Sequence, residues 1–192
     1  MRRTMLVGLV LTLAAVVVVF VSAWLDLELE PVALMGVALG AVVALVPDRT
    51  PLMRLAGFGG GFVAAWIGYF VRAGMLPDST GGRAVAVGLV IVLAVAVAAA
   101  SMDRIPLWST LLGAGAFAGA FEYTYAAAPP EVATTSVSAA TALLLTAAAG
   151  YLATALIAPA GEQPVERAHR ASTPRNDDET GRLDDMMMEK TK

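Results

Sequence analysis

Residues Met5–Leu25 read MLVGLVLTLAAVVVVFVSAWL, a run that contains no charged side chain. A helix needs roughly 20 apolar residues to cross about 30 Å of hydrocarbon. Five more apolar runs follow after short polar breaks, at 32–46, 52–71, 84–102, 106–127 and 132–158. Because the runs lack the apolar–polar alternation of barrel strands, helices are expected. The pattern predicts an all-α, polytopic membrane protein with six transmembrane helices.

The composition supports this class and argues against several kinds of site. Hydrophobic residues make up 58% of the 192 positions and charged residues 15%, and 14 of the 29 charges fall in the last 34 residues. Without cysteine and with one histidine, His169, the chain offers no thiolate chemistry and no imidazole cluster for a metal. A net charge of −3 with scattered basic residues gives nucleic-acid binding no support. Neither a cofactor nor an enzymatic activity is predicted.

The arginines that flank the runs predict the orientation. A cytoplasmic N-terminus places five of them inside and two outside, in agreement with the positive-inside tendency. The five are Arg2, Arg3, Arg49, Arg54 and Arg104, and the two are Arg72 and Arg83. The predicted location is therefore the cell (cytoplasmic) membrane. Arginine in preference to lysine, with abundant Ala, Val and Gly, is also typical of a GC-rich prokaryotic genome.

The first run has a second interpretation. Two arginines, an apolar stretch and Val21-Ser22-Ala23 also resemble a secretory signal peptide with a small-residue cleavage site. The stretch is long for such a peptide, so retention as the first transmembrane helix is favoured.

The chain is expected to divide into a transmembrane bundle, 1–158, and a cytoplasmic tail, 159–192. The tail contains several prolines, charges of both signs and few large apolar residues before Met186. Such a segment cannot bury enough apolar surface to offset the entropy of ordering, so the tail is predicted to be disordered when free. A cytoplasmic partner is one possible use for it.

A tandem repeat with an offset of 55 residues runs through the bundle. The segment PDRTPL at 47–52 aligns with MDRIPL at 102–107, and the register continues without a gap, with Phe62 matching Phe117. Each unit, 32–76 and 87–131, contains a helix, an Asp-Arg-x-Pro turn and a second helix, and both units point the same way. The second and third helices, and the fourth and fifth, are therefore expected to form two related hairpins.

The two turns provide the first candidate site. Proline suits the first turn of a helix, and arginine at the cytoplasmic face serves topology, so structural roles account for every residue. The functional alternative is a paired docking or ligand-gating site that consists of Asp48, Arg49, Asp103 and Arg104.

Glu122 is the acidic residue that lies clearly within a run. At about 1.5 Å per residue it is roughly 24 Å along the fifth helix, near the outer interface. The favoured interpretation is a carboxylate that reaches water, since an interfacial charge costs less than a central one. The alternatives are a site for cation uptake or an ion pair with Arg72 or Arg83.

Other polar positions inside the runs are mostly hydroxyls, of which Thr141 in the sixth run is the candidate for a solute path. Most such groups bond to carbonyls of their own helix, which is the favoured interpretation here. Arg54, one turn into the third run, is expected to extend towards the cytoplasmic face.

Glycines four residues apart occur in three runs, at Gly36 and Gly40, at Gly57 and Gly61, and at Gly115 and Gly119. Small residues allow the backbones of helices to approach closely in lipid. Packing within the bundle is favoured, and a homo-oligomer interface is the alternative.

These observations predict a small, non-enzymatic membrane protein that acts as an accessory, assembly or scaffold subunit in the lipid bilayer. Its partners would be other copies or a second membrane protein. The alternative function is a small transporter or channel for a weakly polar or apolar solute.

Overall fold

The computed structural model describes residues 2–24 and 29–157, which form α-helices with one short 3₁₀ turn and contain no strand. The helices are α1 (Arg2–Trp24), α2 (Glu30–Leu45), α3 (Pro51–Met75), α4 (Thr80–Ala100), α5 (Leu107–Ala127) and α6 (Val132–Ala155), and the 3₁₀ turn is Pro129–Glu131. The prediction of an all-α chain with six long helices is confirmed within this described part. The predictions for the tail, 159–192, lie outside the described residues.

Four segments are long and apolar enough to cross a membrane, judged by length and composition over the described ranges. They are Met5–Trp24, Pro51–Met75, Thr80–Ala100 and Pro129–Ala155. Helix α2 has 16 residues, or about 24 Å, which is shorter than the roughly 30 Å of bilayer hydrocarbon. Helix α5 has 21 residues, but its glycines, hydroxyls and Glu122 make it less apolar. Four of the six predicted transmembrane helices are therefore long and apolar enough to cross a membrane.

Helices α3 and α5 run parallel and pack closely along a seam of small residues. A Cβ added at Gly61 would overlap the carbonyl oxygen of Thr110, and one added at Gly113 would overlap the carbonyl oxygen of Phe58. The backbones approach to this distance because one residue of each contact is a glycine, which has no side chain. Helix α4 lies antiparallel against α3.

Helix α2 packs most extensively on α6, again in parallel, and less on α3, its neighbour in the chain. Gly36 faces the side chain of Thr146, Gly40 faces the backbone of Ala147, and Gly150 faces the backbone of Val37. Two of the three glycine pairs from the sequence therefore pack inside the bundle. The third does so only partly, since the position next to Gly115 is open space.

The centre of the bundle is filled by aromatic rings from α3 and α5. Neighbouring rings have centroids 4.9–6.0 Å apart, mostly edge to face. Phe117, Phe121 and, from α6, Leu143 are completely buried. The rings belong to Phe62, Trp66, Tyr69, Phe117, Phe121 and Tyr125. The core between these helices is therefore closed by large side chains.

The outward faces of α1 and α4 are apolar and exposed. On α1 these residues include Leu9, Leu13 and Phe20, and on α4 they include Val87 and Val92. Helix α1 contacts the bundle, on α2 and α6, along one narrow stripe. Exposed apolar side chains therefore form much of the outer surface of α1 and α4.

Candidate functional site

Glu122 on α5 is held by two side chains of α3. Nη1 of Arg72 donates hydrogen bonds to both carboxylate oxygens at 3.0 Å, and the hydroxyl of Tyr69 donates to Oε2. The same guanidinium lies 4.5 Å from the centroid of the Tyr125 ring, which adds a cation–π contact. Tyr69, Arg72, Glu122 and Tyr125 are called the Glu122 cluster below.

The Glu122 cluster lies at the edge of the core. The Arg72 side chain is 11% exposed and that of Glu122 50%, so the carboxylate is accessible while the guanidinium is largely covered. Of the two ion pairs considered for Glu122, with Arg72 or with Arg83, the one with Arg72 forms. Arg83 pairs instead with Asp78 at 3.0 Å, and both of those side chains are well exposed.

A groove of about 370 Å³ extends from the Glu122 cluster between α3, α4 and α5. Its volume falls at the lower end of the roughly 300–1,000 Å³ of small-molecule sites. Charged side chains, those of Arg72, Arg83 and Glu122, stand at one end. The rest of the lining is apolar apart from Tyr69 and consists of Ala65, Gly68, Ala86, Val87, Val90, Ile91, Leu111, Ala114, Gly115 and Ala118.

The groove runs along the helix axes because its lining recurs at helical spacing. On α5 the lining extends from Leu111 to Glu122, a distance of about 16 Å at 1.5 Å per residue. Small residues leave the space open, and a Cβ added at Gly115 would meet no atom within 4 Å. The result is an elongated apolar channel with charge at one end.

The two Asp-Arg-x-Pro turns meet at the opposite end of the bundle. Asp48, Arg49, Asp103 and Arg104 are all exposed, and Asp48 accepts a hydrogen bond from the indole Nε1 of Trp108 in the first turn of α5. In the described ranges the ion pairs are those of Glu122 and Asp78, so these four residues stand without one.

The conformations of the two turns differ. Met102 and Asp103 have φ values of 53° and 58°, in the left-handed region that residues with a Cβ rarely adopt. The Asp-Arg sequence therefore has no common backbone geometry in the two turns. Pro51 begins α3, as the structural interpretation expects, whereas Pro106 is the N-cap of α5, one residue before its first turn.

Arg54 forms a contact that the sequence interpretation missed. Its side chain is buried, with the residue 6% exposed, and its Nη1 donates to the carbonyl oxygens of Val43 at 2.8 Å, Ala44 at 3.0 Å and Val46. These are carbonyls that the end of α2 leaves without helical partners, and they carry its partial negative charge. Arg54 thus lies at the turn end of the bundle, where its guanidinium caps the end of α2, and the expectation that this end faces the cytoplasm stays a prediction.

The hydroxyls of α6 serve the helix itself or its packing. Thr141 is exposed and donates to the carbonyl of Val137 at 2.9 Å, and Thr146 and Thr154 are buried and bond to carbonyls of α6. Ser136 accepts a hydrogen bond from Nε1 of Trp66 at 3.0 Å. Thr141 therefore lies outside both the Glu122 cluster and the groove.

The site and fold define a class: an all-helical, strongly apolar bundle with an apolar groove that has charge at one end. Over the described ranges, no group of three or more His, Asp or Glu side chains could hold a metal ion. No protein-family model, curated protein or solved structure matches the chain.

Proposed function

We propose that the protein is a multi-pass membrane protein whose six helices cross the bilayer, and that it acts as a non-enzymatic accessory, assembly or scaffold subunit. The observation that carries this proposal is the combination of an apolar outer surface with a filled interior. Binding surfaces then lie on the outside of the bundle, where lipid and partner helices meet it.

The outer surface supports the membrane location. Phe20 on α1 is 72% exposed, and Val92 on α4 is 63% exposed. Soluble monomers rarely expose a continuous apolar patch larger than a few hundred Å², whereas such faces suit contact with lipid chains. The short α2 packs against α6, and the less apolar α5 packs against α3. Both can therefore cross the bilayer with part of their surface covered by a longer helix.

The charges at the two ends support a cytoplasmic location for the turns. Arg49, Arg54 and Arg104 lie at the turn end. Arg72 and Arg83 lie at the other end, where each pairs with a carboxylate. Three arginines at the turn end against two at the other end agree with the positive-inside tendency if the turn end is cytoplasmic. The proposed orientation is therefore the one predicted from the sequence.

The interior supports a role without catalysis or a central pore. A path for ions or polar solutes needs groups that replace hydration. Here the buried hydroxyls of α5 and α6 bond to nearby backbone carbonyls or to Trp66, and aromatic rings fill the space between α3 and α5. The carboxylate of Glu122, within α5, is bound by Arg72 and Tyr69.

Co-purification tests this proposal. The tagged full-length chain and a form without residues 162–192 would be extracted in a mild detergent, and associated proteins identified by mass spectrometry. A stoichiometric partner of the full-length chain is the expected result, and its loss with the tail would identify the tail as the contact. Release of the protein from membranes by alkaline carbonate would contradict the membrane location. Cross-linking in membranes that detected neither partner nor second copy would contradict the subunit role.

The groove favours a second candidate, transport of a weakly polar or apolar solute. Its apolar walls suit such a solute, and the Glu122 cluster stands where a solute would leave or enter. Flux into reconstituted vesicles would be compared between the wild type, Glu122→Gln and Gly115→Leu, with Gly88→Leu as the control. Absence of flux for every solute class would count against transport.

A further inference from the structure

We propose that the groove between α3, α4 and α5 holds one acyl chain of an anionic phospholipid, whose phosphate binds Arg83. This inference rests on the proposed membrane location and adds a ligand class to it. The occupant follows from the direction, the length and the charge of the groove.

The direction and length of the groove match one leaflet of a bilayer. Its lining on α5 extends for about 16 Å along the helix axis, and half of the roughly 30 Å of bilayer hydrocarbon is about 15 Å. The charged end lies near the ends of the helices, since Arg72 is three residues from the end of α3 and Arg83 three residues past the start of α4. A lipid chain beside the helices would lie in the same direction, with its headgroup at the charged end.

The charges at the mouth favour an anionic headgroup. Two guanidinium groups line the groove, those of Arg72 and Arg83, against the single carboxylate of Glu122. Arg72 already binds Glu122, so the remaining positive charge at the mouth is that of Arg83. Its partner Asp78 forms an exposed ion pair, and such pairs are weak. A phosphate, which guanidinium binds through two parallel hydrogen bonds, can displace that carboxylate.

The walls of the groove fit an acyl chain. Ala65, Ala86, Ala114, Gly115 and Ala118 contribute little side-chain volume, which leaves a continuous space without hydrogen-bonding groups along its length. An occupant therefore needs no polar group beyond its head. Leucine at position 115 would fill this space without meeting a neighbouring atom at its Cβ.

The test is native mass spectrometry of the purified full-length protein with phosphatidylglycerol or phosphatidylcholine of identical chains. The wild type is expected to retain phosphatidylglycerol about tenfold better, which corresponds to about 1.4 kcal/mol. Arg83→Gln should remove this preference, because it should weaken retention of phosphatidylglycerol more than that of phosphatidylcholine, whose phosphate charge is already balanced by its choline cation. Gly115→Leu should reduce retention of both lipids about tenfold. Gly88→Leu is the matched control, because Gly88 also has open space at its Cβ but lies outside the groove lining.

Two results would overturn the proposal. One is equal retention of the two lipids by the wild type, and the other is equal lipid retention by Gly115→Leu and Gly88→Leu. Since Arg83 is exposed, Arg83→Gln gives a result even if a leucine variant fails to fold. A second copy of this chain is the alternative occupant of the groove. The chain contains no cysteine, so disulfide dimers of Gly115→Cys in membranes would indicate that copy and exclude the lipid.

The outcome is independent of the subunit role. A protein that recruits a partner but shows no lipid preference would retain the proposed function and lose the groove ligand. A protein that alkaline carbonate releases from membranes would lose the basis of both.

Discussion

The ring of Phe62 on α3 contacts the ring of Phe117 on α5 at a centroid distance of 4.9 Å, and these residues are 55 positions apart in the chain. Phe58 and Gly113, with the same separation, meet where the two backbones touch. Two parallel helices related by a two-fold axis bring equivalent positions together along that axis. The contacts therefore agree in register with the tandem repeat, which stays a prediction.

Gly61→Ala should destabilise the bundle strongly. The new methyl group would overlap the carbonyl oxygen of Thr110, and a backbone atom cannot move aside without separating α3 from α5. We expect a loss of about 3 kcal/mol, at the upper end of overpacking effects, in detergent unfolding titrations. Gly59→Ala is the control, because its Cβ would meet open space, and helix propensity should raise stability by up to about 1 kcal/mol. Similar losses for both variants would contradict the close seam.

Arg54→Met should loosen the end of α2. The carbonyls of Val43, Ala44 and Val46 would lose their donor, and we expect a loss of about 2 kcal/mol in the free energy of unfolding. Amide exchange in the last turn of α2 should accelerate at the same time. Arg49→Met removes an exposed arginine from the neighbouring turn and should change stability by less than about 0.5 kcal/mol. Unchanged exchange in α2 would show that Arg54 does not cap the helix.

Glu122→Gln should have a smaller effect. It removes the charge that holds Arg72 but leaves an amide that can still bond to Tyr69, and the carboxylate is half exposed. We expect a loss of about 1 kcal/mol. Asp78→Asn disrupts the well-exposed pair with Arg83 and should cost less than about 0.5 kcal/mol. Detergent unfolding of the two variants side by side measures the difference, and equal effects would argue against a distinct role for the Glu122 cluster.

Thr141→Val should leave stability unchanged within about 0.5 kcal/mol, because its hydroxyl is exposed and bonds to its own helix. Ser136→Ala should cost about 1 kcal/mol, since the indole of Trp66 would lose its acceptor between α3 and α6. Thermal unfolding of both variants tests this contrast. A large effect of Thr141→Val would return that residue to the candidate site.

Hydropathy predicted the six helices to within a few residues, because apolar runs and the prolines between them mark where a helix can lie. The predicted hairpins of α2 with α3 and of α4 with α5 are not the main pairs, because the most extensive packing joins α2 to α6 and α3 to α5. Small residues of the same types line the contact of α2 with α6 and the contact of α3 with α5. The residue types therefore do not indicate which helix packs against which. The capping by Arg54 was missed for a related reason. Periodicity places a side chain on a face of its own helix, and the partner depends on which neighbour covers that face.

The candidate residues show the same limit. The pairing of Glu122 with Arg72 was among the alternatives because both were predicted to lie near the outer membrane interface. The groove was not predicted, since its walls come from three helices and its residues are individually ordinary. A glycine such as Gly115, with open space at its Cβ, differs from the packed Gly61 only once the neighbouring helix is in place.

The pairing of α2 with α6 also determines when the molecule can be completed during synthesis. The ribosome delivers α2 early and α6 last among the described helices, and chains are synthesised at about 5–20 residues per second. The face of α2 that contains Gly36 and Gly40 therefore lacks its main packing partner, α6, for several seconds during synthesis. In that interval a chaperone or a neighbouring chain can contact it, and nascent chains that stop before α6 would expose this face to the quality-control factors of the cell.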